Sequence, residues 1–153
     1  MAFGARKTKK KSRDNAQEQA AINALAGVTM AAFLAAAADG EVTDEEYDLI
    51  AQIVVDRCGG QVPLRDVRNL INSCAESFEE NGFESLIDHI AEQLPDAEAQ
   101  VAALYAASDV ILGDDEYDAD SEGEFYDTLA EKLEFSEELA AEIWNGQVEN
   151  YGW

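Results

Sequence analysis

Two stretches of this 153-residue chain concentrate carboxylates in a way that can hold a hard cation. The first is Asp39-Gly40-Glu41-Val42-Thr43-Asp44-Glu45-Glu46; the second runs from Asp109 to Asp127 and holds nine acids. Ca²⁺, Mg²⁺ and Mn²⁺ take oxygen ligands at about 2.0–2.6 Å, mostly carboxylates and carbonyls. Acids crowded this closely repel one another unless counter-ions are held. A purely local account competes with this. Thr43-x-x-Glu46 and Ser121-x-x-Glu124 have the spacing of capping boxes, in which the glutamate satisfies a backbone N–H at a helix start. Acids in a first turn also suit the helix dipole, and Asp39 can accept hydrogen bonds at a helix end. Capping explains Glu46 and Glu124 without a metal, but it does not explain the nine acids.

Other chemistries are poorly represented. Asp118-x-Asp120-x-Glu122-Gly123-x-Phe125 imitates the start of an EF-hand loop, but its twelfth position, which needs a bidentate glutamate, is Leu129. Cys58 and Cys74 are sixteen apart, outside any C-x-x-C arrangement, and His89 is the only histidine. That set does not supply the four N or S ligands of a structural zinc site, so the cation expected is Ca²⁺, Mg²⁺ or Mn²⁺ rather than Zn²⁺. The two cysteines can pair, but they read better as small buried hydrophobes in a reducing cytosol. His89 reads as an ordinary helix residue, with no Ser or Cys nucleophile motif near it. No catalytic machinery is legible, and the expectation is that the chain is not an enzyme.

The elements that must position these acids read as helices throughout. Hydrophobic residues make up 47% of the chain, enough for one core, and only two prolines occur. An Ala-rich helix is expected from about Asn15 to Ala38, with Ile22, Leu25, Val28, Met30, Phe33 and Leu34 at mostly helical spacing. Asp39-Gly40 stops it, and the Thr43 capping box opens a second helix carrying Tyr47, Ile50, Ile53 and Val54. Pro63 suits the first turn of a third helix, with Leu64, Val67, Leu70, Ile71 and Cys74. Asn81-Gly82 breaks that one. A fourth helix carries Phe83, Leu86, Ile87, Ile90 and Leu94, and a fifth, opened by Pro95, runs to Gly113. The Ser121 box leads a sixth through Tyr126, Leu129 and Leu133. Ser136 caps a seventh, expected to end near Gly146. No segment alternates as a strand does, so the fold class is all-α, about seven helices in a bundle.

The first and last thirds echo each other at an offset of 78 or 79. In both, an Ala-rich helix precedes an acidic loop, a capping box and an amphipathic helix, which predicts adjacent capping-box helices with their loops at one end. The motif Ala38-Asp39-Gly40-Glu41-Val42-Thr43-Asp44-Glu45-Glu46, with a degenerate second copy resuming at Glu124-Phe125-Tyr126-Asp127, resembles the TerB-like family, named for tellurite-resistance proteins. The resemblance covers roughly residues 20–145. It implies a divalent cation held by paired acidic loops, at Asp39 and Glu46 of the first copy and Asp114, Asp118 and Glu124 of the second. Asp109, Asp114 and Asp118 are all candidates for the second-copy aspartate; helical periodicity places Asp109 inside the fifth helix and favours the loop positions. The resemblance also implies a role in stress or tellurite resistance, with a protein partner, in a complex that can sit at the membrane. Co-chaperones related to this family suggest the alternative: a metal-free adaptor whose acidic face docks a basic partner.

Charge divides the chain into two regions. Arg6, Lys7, Lys9, Lys10, Lys11 and Arg13 precede every acid, so residues 1–14 read as a flexible basic tail and residues 15–153 as the helical domain. From residue 14 onward four cations face 33 acids, a net of −29. Such an excess repels nucleic acid and anionic membranes and attracts cations and basic partners; solubility or adaptation to high salt would also account for it. A decoy mimicking nucleic acid is a further reading, though the basic tail does not suit one. Residues 20–38 carry no charge and follow a basic start, as in a signal peptide, but Asp14 and Glu18 interrupt the basic region and alanine is only weakly hydrophobic. A cytoplasmic location without membrane insertion is expected.

Overall fold

The computed structural model describes residues 22–38, 42–57, 62–94, 96–113 and 121–152, the side chains of residues 121 and 122 excepted. Seven helices and, among the described residues, no strand make up the fold: α1 over residues 22–37, α2 (Asp44–Arg57), α3 (Leu64–Asn81), α4 (Phe83–Gln93), α5 (Ala97–Gly113), α6 (Ser121–Lys132) and α7 (Glu137–Tyr151). The all-α bundle expected from periodicity is the fold observed.

Alanine makes α1 and α5 the interior helices. Its side chain gives up no rotamer entropy and leaves room for neighbours on all sides. Every residue from Val28 to Ala37 is buried, as is every residue from Ala106 to Leu112. Gly27 marks a close approach: a Cβ there would lie 2.6 Å from a methyl of Leu94, so α1 passes tightly over the end of α4. The remaining helices bury one stripe each, such as Val67, Ile71 and Cys74 on α3 and Leu86, Ile87 and Ile90 on α4. Edge-on aromatic contacts link the layers, Phe33 to Phe78 (5.9 Å), Phe78 to Phe83 (6.5 Å) and Phe83 to Phe125 (5.5 Å).

Helix ends follow local chemistry. Glu46 N–H donates to Thr43 Oγ1 at 3.2 Å while Thr43 N–H donates to the Glu46 carboxylate at 3.1 Å, the expected capping box. Gly82, at φ 82°, separates α3 from α4 in a conformation that disfavours any side chain. Asp96 accepts from Ala99 N–H at 2.8 Å at the start of α5, and Ser136 accepts from Leu139 N–H at 3.1 Å at the start of α7. α7 does not stop near Gly146. It continues to Tyr151 and closes on Gly152, because Gln147 and Tyr151 in its last turns bond inward to α5. Ile22 and Leu64, expected to pack, are 54% and 43% exposed, and Leu139 is 37% exposed. Leu64 and Leu139 sit in opening turns, and Ile22 precedes the buried stretch of α1.

Contacts between α2 and α3, α3 and α4, α4 and α6, α6 and α5, and α5 and α2 close a ring, with α7 laid on α5 and α6. The capping-box helices α2 and α6 are therefore not adjacent: among the described residues they share no contact, and α5 lies between them. The basic tail, Cys58, Pro95 and the loops at 39–41 and 114–120 lie outside the described residues.

Candidate functional site

The turn between α6 and α7 is short, so the two helices lie side by side. It is built as a Schellman motif, with Phe135 N–H donating to Ala130 O and Glu134 N–H to Glu131 O, both at 3.0 Å. The left-handed position of that motif is held by Glu134, at φ 62°, where glycine is the unstrained residue. Tyr126 pins the helices together: its hydroxyl donates to Ala140 O at 2.7 Å, and its ring lies 4.9 Å from that of Trp144. Burial pushes the Tyr126 phenol well above its ordinary pKa, with the charge of Asp127 adding to the effect.

A groove of about 990 Å³ opens between these helices. Tyr126, Phe135 and Trp144 give it aromatic walls, and Glu124, Asp127 and Glu131 line it along α6, facing Glu137 of α7. The spacing of 124, 127 and 131 stacks three carboxylates on one helical face, where like charges destabilise. None of these four acids forms an ion pair among the described residues. Lys132, the nearest cation in sequence, turns away to Asp88 of α4 at 2.9 Å. A smaller groove of about 500 Å³ between α2 and α3 differs in this respect, because Arg68 pairs there with Asp48 at 3.1 Å.

A second polar constellation is buried. Asp109, expected inside the fifth helix, is 6% exposed and faces Arg57, with Nε and Nη2 both 2.7 Å from Oδ2. Its Oδ1 accepts from Gln147 Nε2 at 2.6 Å and from the Tyr151 hydroxyl at 2.9 Å. The Arg57 guanidinium also lies 4.9 Å over the Tyr105 ring. The hydrogen bond to Asp109 raises the arginine pKa despite partial burial, and burial followed by the Asp109 bond lifts Tyr151 to about 12. Every acceptor direction of Asp109 is used, so this cluster locks α2, α5 and α7 together and offers no open ligand position.

Of the five predicted metal ligands, Glu46 is engaged in its capping box and Glu124 stands exposed on the groove. Asp39, Asp114 and Asp118 lie outside the described residues. Among the described residues no three His, Cys, Asp or Glu side chains converge as a metal site. His89 is an exposed helix residue 3.8 Å from Glu92, and the buried thiol of Cys74 is pushed up to about 12 by desolvation. Sequence reasoning did not single out Arg57, Gln147 or Tyr151. A signal for Arg57 existed: an aspartate within the apolar run Ala106–Leu112 needs a cation, and beyond the tail only four are available.

Set against protein-family models, curated proteins and solved structures, the chain matches none. The TerB-like resemblance therefore stands on its short motif alone.

Proposed function

We propose that this domain is an interaction module that docks a Lys- or Arg-rich segment of a partner protein in the groove between α6 and α7, without chemistry of its own. One observation carries the reading. Each of the four cations beyond the tail, Arg57, Arg65, Arg68 and Lys132, already lies against a carboxylate outside the groove, while the groove acids form no ion pair among the described residues. Unpaired acids beside apolar walls suit a segment that offers both a bulky apolar anchor and flanking cations. Calorimetry with a Lys/Arg-rich peptide carrying one Trp tests this. Binding should weaken with salt, and E124Q/D127N/E131Q should raise Kd about tenfold, at roughly 0.5 kcal/mol for each exposed pair. Asp48→Asn, in the smaller groove, should leave it unchanged. Equal binding to the triple variant sinks the reading.

A second reading keeps the divalent cation at the acidic loops, with Asp39, Glu46, Asp114, Asp118 and Glu124 as ligands. The observation favouring it is Glu124, exposed in the first turn of α6, four residues after the 114–120 loop in sequence, and in no ion pair among the described residues. A role in stress or tellurite resistance, through a cytoplasmic complex at the membrane, is what the family resemblance adds. No helix among the described residues is long and apolar enough to cross a membrane.

A further inference from the structure

We infer that the segment received by the α6/α7 groove docks as an amphipathic α-helix of about three turns, with cations one turn apart on one face and a bulky apolar residue beside them. This rests on the proposal that the groove docks basic segments, and it adds the conformation and spacing by which the groove selects them. Backbone chemistry favours a helix. Both walls are helices, whose N–H and C=O groups bond internally along their length, so an extended segment laid between them finds no main-chain partners. A helix arrives with its own hydrogen bonds made and presents side chains alone.

Charge spacing agrees. Glu124, Asp127 and Glu131 stand on successive turns of α6, which places Glu124 and Glu131 about 10.5 Å apart along its axis. Cations at i, i+3 or i+4, and i+7 of a docked helix repeat that row. Three same-face cations of an extended chain span about 13 Å and overrun it. The floor and ends of the groove suit the same shape. Ala130, Ala140 and Ala141 carry only a methyl, which lets a third helix axis approach to about 8–10 Å. Phe135 stands at the Glu131 end, and Trp144 stands against Tyr126 at the other. With its 12 residues, α6 is about 18 Å long and matches a partner of about three turns. An isolated helix of that length is marginal in water, so the segment folds as it docks.

The test uses the full chain and two synthetic peptides of identical composition, each about 14 residues long, with three Lys and one Trp among Ala and Gln. The first places Lys at i, i+4 and i+7, with Trp on the same helical face. The second places Lys at i, i+2 and i+4, so that all three share a face only when the chain is extended. By calorimetry the first should bind about tenfold more tightly than the second. Circular dichroism of its complex should show more helix than the sum of the separate components. Proline at the centre of the first peptide, on the face away from Lys and Trp, should abolish the preference, because it breaks the helix without removing a contact. In E124Q/D127N/E131Q the two peptides should bind within about twofold of each other, since the charge row they compete for is gone. Equal or tighter binding of the second peptide, or binding of the first with no gain in helix, overturns the inference but leaves the docking proposal intact. A preference undiminished in the triple variant puts the helix outside this groove and also overturns the inference. Failure of both peptides and of the Lys/Arg-rich peptide to bind overturns inference and proposal together.

Discussion

Arg57, the last residue of α2, reaches across to Asp109 in the interior of α5, 52 residues later, with two guanidinium nitrogens at 2.7 Å from one carboxylate oxygen. The pair is asymmetric. Asp109 keeps 8% of its side chain exposed, whereas Arg57 keeps 35%. Removing the arginine therefore costs more than the pair itself contributes, because it leaves a buried carboxylate without compensation.

Arg57→Met should lower unfolding stability by about 3 kcal/mol, the low end for a broken buried pair because the arginine is partly solvated. Adding Asp109→Asn should recover part of the loss, since the amide oxygen can still accept from Gln147 and Tyr151 without a charge. Urea titration with unchanged slope measures both. A double variant weaker than Arg57→Met alone would contradict the assignment.

Stability should fall as pH rises above about 9. The Cys74 thiol moves from 9.0 to about 12 on folding, and Tyr151 from 10.0 to about 12. Both are favoured protonated in the folded state, so their contribution is complete below the unfolded values and is lost as pH climbs through the folded ones. Cys74→Ala should flatten the decline between about pH 9 and 10, and Tyr151→Phe the decline above 10, in urea midpoints taken across that window.

Glu134→Gly should stabilise the domain by about 0.5–1 kcal/mol. A non-glycine residue in the left-handed region costs on the order of 1–3 kcal/mol, offset in part by the greater freedom of glycine in the unfolded chain. The substitution leaves the four groove acids in place, so affinity for a basic peptide should not change. A lower thermal midpoint would show that the Glu134 side chain contributes more than its backbone costs.

Divalent ions discriminate between the two functional readings. If the acidic loops form a cation site, Ca²⁺ or Mg²⁺ at a hundredfold excess over Kd stabilises the fold by about 2.7 kcal/mol, beyond NaCl of equal ionic strength. Asp39→Asn and Asp118→Asn should each remove most of that gain, and Glu149→Gln none of it. Equivalence of divalent and monovalent salts at matched ionic strength eliminates the cation site.

Short-range signals were legible in the sequence. Thr43 with Glu46, Gly82 and Ser136 are all read from neighbours three residues away or less, and the buried interior of α5 follows from a largely apolar run that only Ser108 and Asp109 interrupt. What the sequence hid is set by distance along the chain. Gln147 and Tyr151 reach Asp109 across 38 and 42 residues, and no local rule predicts that this bond carries α7 past Gly146. The interposition of α5 between α2 and α6 was hidden for the same reason. Two similar helix–loop–helix units fix their internal order, but not which faces meet. In the groove, Glu124 was legible as a capping residue and shares a helical face with Asp127 and Glu131 by spacing alone, whereas their facing Glu137 needed the pairing of α6 with α7.

The closed ring of α2, α3, α4, α6 and α5 has a consequence for how the polypeptide can be severed. A ring of packed helices has no terminal member, so a cut at any one junction leaves both new ends held from the opposite side. Gly82, exposed between α3 and α4, is such a junction. A chain nicked there keeps α3 fastened through α2 and α4 fastened through α6, so covalent continuity and architectural continuity are separable in this domain.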